Sequence, residues 1–312
     1  MTEPQQPTRD RLAAFFRAPH TAPVLLVAEL SANHGGSLAR AVATVEAFAD
    51  AGADAIKLQT YTADALTIDC DRSEFRIDDG PWRGRTLHEL YREAQTPWEW
   101  HEPLRAAAQR CGVPLFSTPF DERAVTFLQQ QGVAAYKIAS FELVDHELLA
   151  AVAATGRPIV LSTGMATEAE IAAAVATIRG GWGERDLGLV LLHCVSAYPA
   201  PARDMRLHRL QQLATRFGVP VGLSDHTLGT TVATAAVALG ARLIEKHVTL
   251  ARADGGPDAH FSLEPAEFAA LAAAVREVEA AITTAPGEDD GPTPSERASL
   301  LFRRSLFAVG DI

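Results

Sequence analysis

The chain has 312 residues, 47% of them hydrophobic, with a formal charge of −11 and a pI near 5.4. This length and apolar content suffice for one large core without a second, and the acidic balance excludes the basic stripe that marks a nucleic-acid surface. Cys70, Cys111 and Cys194 are too far apart and too few for a disulfide framework or a CxxC metal pair, which fits a reducing cytoplasm, and no run approaches the roughly 20 apolar residues of a membrane span.

Residues 1–22 carry charges on both sides of a short apolar patch, lack the apolar centre of a signal peptide, and read as an N-terminal extension. A first β-like run, VLLVAELS, covers 24–31, and Ser37 then opens a helix over 37–51 that ends at Gly52. A second run at 55–60 leads into a long interval from Tyr61 to about Pro97, which in an α/β barrel is a lid or specificity element on the strands' C-terminal face. Helix 98–111, strand 114–119, helix 121–131 behind the cap Asp121, strand 135–140, helix 145–154 and strand 158–163 follow. Thr167 with Glu170 forms a capping-box pattern for helix 167–179. Strand 187–194, helix 203–217, strand 220–226, helix 229–239, strand 243–249 and helix 264–284 complete the series. Eight alternating units predict a closed (β/α)8 TIM barrel over 23–284, and the first strand lacks the GxGxxG turn that would favour an open sheet. Residues 285–312 begin as a linker rich in Pro, Gly and acid.

Lysine occurs only at Lys57, Lys137 and Lys246, each near the end of a predicted strand, while arginine supplies the surface charge. Every predicted strand also ends in polar residues, where barrel enzymes place their chemistry. Alternation puts Glu29 and Ser31 on one face of the first strand and turns Lys57 and Gln59 inward on the second. It sets Lys246 opposite Glu245 and His247, making it the weakest of the three lysines as a ligand. Lys57 and Lys137, with Ser117, Thr118, Ser140, Ser162, Thr163 and Ser224, supply the fixed charge and donors that a carboxylate or phosphate needs. His226 and His247 end neighbouring strands, with Glu29, Asp225 and Asp258 in the same sector. Two imidazoles completed by water and substrate oxygens suit manganese, magnesium or cobalt rather than a closed zinc site.

The segments AELSANHGGS, ADAIKLQTYTADALTID, TPWEWH, FSTPFDERAV, AYKIASFE, STGMAT, LLHCVSAYPAP, GLSDHTLG, IEKHVTL and RADGGPDAHFSLEP together resemble the sialic acid synthase family over residues 24–284, most closely its pseudaminic branch. The resemblance implies a metal-dependent condensation of phosphoenolpyruvate with 2,4-diacetamido-2,4,6-trideoxy-altrose, giving a nine-carbon 2-keto acid and phosphate. N-acetylneuraminate or legionaminate synthesis, a Schiff-base aldolase and a non-catalytic sugar-binding barrel are the alternatives. It further implies that Lys57, Lys137, Thr118, Ser140, Ser162 and Ser224 bind phosphoenolpyruvate and that Glu142 handles a water proton. Glu29, Asp258 and Tyr198 would then surround the sugar, with Gln59 and Ser196 among the substrate-binding residues, and His226 and His247 would hold the metal. Ser196 stands where the neuraminate branch has Asn. Family members act as homodimers through a C-terminal antifreeze-like domain that lends an arginine to the partner's sugar site. Only the first strand of that domain, RRSLFAVGDI, is expected here.

Overall fold

The computed structural model of the protein describes residues 9–80, 82–283, 291–305 and 309–311. Eight parallel strands form one closed barrel in sequence order: β1 (Leu25–Glu29), β2 (Ala55–Thr60), β3 (Leu115–Pro119), β4 (Tyr136–Ile138), β5 (Ile159–Ser162), β6 (Leu189–Cys194), β7 (Val221–Asp225) and β8 (Leu243–His247). β8 returns to pair with β1, placing Glu29 beside His247. Each strand coincides with a run expected from the sequence, trimmed by no more than two residues at either end.

The helices are α1 (Arg9–Arg17), α2 (Leu38–Asp50), α3 (Ala63–Leu66), α4 (Leu87–Ala94), α5 (His101–Arg110), α6 (Glu122–Gln130), α7 (His146–Ala154), α8 (Glu168–Trp182), α9 (Arg209–Phe217), α10 (Thr231–Ala238) and α11 (Pro265–Ile282). The expected caps operate. Ser37 accepts from the Arg40 amide at 3.3 Å, Asp121 from that of Ala124 at 2.7 Å, and Thr167 and Glu170 close a capping box. Among the described residues no helix is long and apolar enough to cross a membrane.

Strand alternation divides the core in two. Leu26, Ala28, Ile56, Leu58, Tyr136, Ile138, Leu161, Leu191, Leu223 and Ile244 face the helices, where they meet Val45, Phe48, Leu104, Leu128, Leu149, Ile178 and Leu271. Leu25, Val27, Ala55, Phe116, Ala135, Val160, Val190, Leu192 and Leu243 fill the barrel interior. β7 contributes Gly222 to this interior because there is no room for more. A Cβ there would lie 2.3 Å from the Leu243 carbonyl oxygen and 2.7 Å from Leu192 Cδ2.

The N-terminal extension holds structure that the sequence reading leaves out. α1 lies against the amino ends of the strands, and its Leu12 and Phe15, each 1% exposed, join the inner core from below. Arg11 pairs with the buried Asp54, which also accepts from the Leu26 amide at 2.9 Å and from Arg276 at 2.6 Å. α1, the turn before β2 and α11 are thereby tied at one carboxylate.

The interval 61–97 is organised rather than open. It contains α3, a short 3-10 turn at Ser73–Phe75, an antiparallel bridge between Arg76 and Thr86, and α4 behind a Thr86–Glu89 capping box. The helix expected at 203–217 starts only at Arg209, because Arg206 takes a left-handed φ of 42° that a continuous helix cannot pass. The helix expected at 98–111 begins as a 3-10 turn, Trp98–Trp100. Pro294–Phe302 forms an exposed 3-10 segment, and the described residues of the expected C-terminal strand, 303–305 and 309–311, carry no strand.

Candidate active site

Two residues beyond the inner apolar layer, the same strand faces turn polar. They present Glu29, Lys57, Thr118, Lys137, Ser162, Cys194, Ser224 and Glu245, one from each strand and all buried. Lys57 Nζ lies 2.8 Å from Glu29 Oε2 and 3.1 Å from Glu245 Oε1, and donates to Thr118 Oγ1 at 3.4 Å. Lys137 Nζ is 3.4 Å from the same Glu245 oxygen, which accepts from Ser224 Oγ at 3.0 Å. Burial pushes the Lys57 ammonium down to about 7 against the attraction of Glu245. Burial opposes ionisation of Glu245 as well, but Lys137 and Lys57 hold its carboxyl down at about 2. Two ammonium groups and two carboxylates therefore balance one another where water is scarce, as buried charges must.

The loops just above supply hydroxyls. The Gly164 amide, after β5, donates to Ser140 Oγ after β4 at 3.0 Å. A Cβ on Gly164 would sit 2.6 Å from Ser196 Oγ and 2.7 Å from Ser140 Oγ, so only glycine lets three loops converge here. Ser162 Oγ, Ser196 Oγ and Glu142 Oε2 are buried without a hydrogen-bond partner, which leaves them free for a ligand. Burial pushes the Glu142 carboxyl up to about 7. Half-buried Gln59 stands two residues above Lys57 on the same face of β2. Between the loops after β5 and β6 a cavity of about 370 Å³ opens, lined by Thr163, Met165, Cys194, Ser196, Arg206 and Arg209 among others.

His226 and His247 crown the neighbouring strands β7 and β8 with ring centroids 5.3 Å apart. His226 Nδ1 lies 3.0 Å from the Val195 carbonyl oxygen. A carbonyl only accepts, so this nitrogen donates and Nε2 carries the lone pair. His247 Nδ1, 3.6 Å from Asp258 Oδ2, makes no hydrogen bond, and burial lowers the pKa of its ring despite Asp258. Asp258 accepts from Ser31 Oγ at 2.5 Å, and Glu29, whose Oε2 is held by Lys57, keeps its Oε1 without a hydrogen-bond donor. Tyr198 packs its ring 4.4 Å from that of His226, and burial keeps its phenol protonated well beyond neutral pH. No group of three or more His, Cys, Asp or Glu among the described residues forms a metal cluster. The donor set nevertheless fits an open divalent site, since two imidazoles stand on neighbouring strands in the sector of Asp258 and the unpartnered Glu29 Oε1, and leave coordination positions for water and substrate.

Three residues expected at the site face the other way. Asp225 accepts from Lys246 Nζ at 2.8 Å and from the Thr227 amide at 2.9 Å, outside the barrel. Ser117 lies 2.6 Å from Thr60 Oγ1, and Thr163 Oγ1 donates to the Leu192 carbonyl at 3.0 Å. Each is one residue out of phase with an inward neighbour, Ser224, Thr118 or Ser162, and alternation decides the matter. Lys246 turns outward as expected. Glu245, Cys194 and Gly164 belong to the site without having been singled out. The first two were marked only by lying two residues from His247 and Leu192.

The profile of the NeuB family matches residues 44–286. The chain is 43% identical to the pseudaminic acid synthase of Campylobacter jejuni subsp. jejuni serotype O:23/36 (strain 81-176), over 93% of this chain and 82% of that protein. It is 39% identical to the pseudaminic acid synthase of Helicobacter pylori (strain ATCC 700392 / 26695), over 93% and 84%. The fold superposes on the crystal structure of the N-acetylneuraminic acid (sialic acid) synthetase of Leptospira borgpetersenii serovar Hardjo-bovis in complex with citrate with a TM-score of 0.78, at 33% identity, covering 91% of this chain and 92% of that one.

Proposed function

Given that the chain belongs to the NeuB family of sialic acid synthases, we propose that it condenses phosphoenolpyruvate with 2,4-diacetamido-2,4,6-trideoxy-altrose to a nine-carbon 2-keto sugar acid and phosphate. The observation that carries this reading is the vertical order of the interior: lysines, hydroxyls and the carboxylates that orient them at the polar layer, imidazoles and Asp258 above them. A small trianion suits the lower level and a polyhydroxylated acceptor the upper.

In this reading Lys57 and Lys137 neutralise the phosphate and carboxylate of phosphoenolpyruvate, while Thr118, Ser140, Ser162, Ser196 and Ser224 hydrogen-bond its oxygens. Glu245 holds the two ammonium groups apart and oriented. Glu29, Asp258, Tyr198 and Gln59 hold the open-chain sugar so that its aldehyde carbon faces C3 of phosphoenolpyruvate. A divalent cation on His226 and His247, when bound, supplies Lewis-acid polarisation of the aldehyde oxygen. The C3–C1 bond forms and leaves C2 electron-poor. Water adds there, Glu142 takes its proton, and the C2–O bond to phosphate breaks. A carboxyl with a pKa near 7 is matched to that proton transfer at neutral pH. The same reading makes the working unit a homodimer in the cytoplasm. Ile68, Phe141, Val144, Met165 and Leu228, all exposed, sit on loops at the carboxyl end of the barrel, the face a second copy would cover.

The test is sugar-dependent phosphate release from phosphoenolpyruvate across a panel of acetamido sugars in ¹⁸O water, with and without chelator. The expected product carries ¹⁸O at C2 and the phosphate none. Chelator, or His226→Ala or His247→Ala, lowers the rate by on the order of 100-fold or more. Borohydride trapping of a lysine–substrate adduct, or turnover indifferent to chelator, would replace this reading with an aldolase.

A further inference from the structure

The sugar-holding residues above come from the strands β1 and β2 and the loops after β6 and β8, yet the long excursion between β2 and β3 also reaches across the mouth. Trp82, half-buried, donates its Nε1 hydrogen to the Pro257 carbonyl oxygen at 2.8 Å. Its ring stands 6.2 Å from Tyr198 and 6.3 Å from His260, and His260 Nε2 is in turn 3.3 Å from the Tyr198 carbonyl oxygen. Tyr198 lies against His226, and Phe261 packs on Tyr198 at 5.4 Å and on His247 at 4.9 Å. An aromatic wall thus rises from the two imidazoles and ends at Trp82.

A tryptophan in such a place could merely staple the excursion down. The excursion, however, is held without it: the Ala63 amide donates to Gln95 Oε1 at 3.1 Å and His88 Nε2 lies 2.9 Å from Asp64 Oδ1 within the excursion, and the Ala94 carbonyl, 3.3 Å from His34 Nε2, ties it to the loop after β1. Gly84, two residues after Trp82, has a φ of 87° with nothing within 4 Å of a Cβ position, so it shapes the turn rather than packing it. The carbonyl that Trp82 grips belongs to the residue before Asp258, the carboxylate beside His247. Carboxylates and hydroxyls occupy the β1 and β8 side of the upper site, and aromatic rings occupy this one.

We propose that Trp82 is a specificity-determining residue of the sugar site, packing its ring on the deoxygenated, methyl-bearing end of the acceptor and discriminating against a 6-hydroxyl. Its N–H bond to Pro257 fixes the ring over the site and steadies the Asp258 loop. An apolar wall separates a methyl from a hydroxymethyl by only about tenfold to 100-fold, since it offers the extra hydroxyl no partner. This inference rests on the proposed condensation, so the test includes a readout independent of turnover.

Trp82→Ala and Trp82→Phe are compared with the parent for kcat/KM on the 6-deoxy acceptor and on its 6-hydroxy counterpart, for the KM of phosphoenolpyruvate, and for tryptophan fluorescence during titration with the 6-deoxy sugar. Trp82→Ala is expected to raise the sugar KM about tenfold or more and bring the preference for the 6-deoxy sugar to within about threefold of unity, leaving the phosphoenolpyruvate KM within about twofold. Trp82→Phe keeps most of the preference and abolishes the sugar-induced fluorescence change, as Trp98, Trp100 and Trp182 remain. If the parent turns over no sugar yet the sugar perturbs Trp82 fluorescence, the condensation fails while the assignment of Trp82 stands. Unaltered discrimination and sugar KM in Trp82→Ala, or equal fluorescence responses in the parent and Trp82→Phe, overturn it.

Discussion

Glu142 combines a useful acidity with a cost to stability. Burial raises its carboxyl from 4.5 to about 7, so between those values the folded chain keeps a proton that the unfolded chain has lost. The sign is the reverse of an ion-paired carboxylate. The penalty is absent below pH 4.5, grows as pH rises from there to about 7 and then levels off, at on the order of 3 kcal/mol. Urea unfolding of Glu142→Gln should therefore show greater stability than the parent at pH 8 and no difference near pH 4, while turnover at neutral pH falls by on the order of 100-fold. In the parent, kcat/KM for phosphoenolpyruvate should peak near pH 7. Glu142 loses its basic form below that value, and Lys57, pushed down to about 7, loses its charge above it. A flat profile from pH 5 to 9 rules out both roles. Gly164 makes a steric counterpart. Gly164→Ala should raise the phosphoenolpyruvate KM at least tenfold by driving Ser140 and Ser196 apart, while costing about 1–3 kcal/mol of stability. An unchanged KM would show that these hydroxyls do not touch the anion.

At the level of the elements, the strands were legible because each repeats one message: apolar residues on both faces, then polar ones at the carboxyl end. Where polar residues occupy two successive positions, as in Ser224 and Asp225 or Ser117 and Thr118, residue type does not say which points inward; phase relative to Val27, Phe116, Val160 and Leu243 does. The same phase, which already puts Glu245 on the face of His247, also identifies Cys194 as inward. α1 was missed because its apolar patch, LAAFF, spans barely more than one turn, too short for a period to declare itself, and its burial depends on an opening that exists only once the barrel closes. α4 had a readable start in Thr86 and Glu89, hidden within a stretch crowded with charge. Since α1 places Phe15 in the inner core, Phe15→Ala should lower stability by about 3–5 kcal/mol in denaturant titrations, whereas truncating half-buried Phe16 should cost less. Equal, small effects would mean that α1 merely rests on the barrel.

For the molecule as a whole, among the described residues the interior is filled by side chains and covered beneath by α1, so that the polar layer is approached from the carboxyl end of the barrel. The lysines lie beneath the imidazoles and the aromatic wall, so whatever occupies the upper level shuts the lower one off from solvent. In the proposed reaction this arrangement sets a sequence in time: phosphoenolpyruvate should arrive before the sugar, since sugar seated first would bar the lower level. Steady-state kinetics should show compulsory-order binding. Excess sugar should then inhibit competitively with respect to phosphoenolpyruvate, by occupying the upper level of the empty site; random-order patterns without sugar inhibition would mean that the upper level stays open beside a bound sugar. At high sugar concentration and little phosphoenolpyruvate, the enzyme becomes a queue with its second customer standing in the doorway.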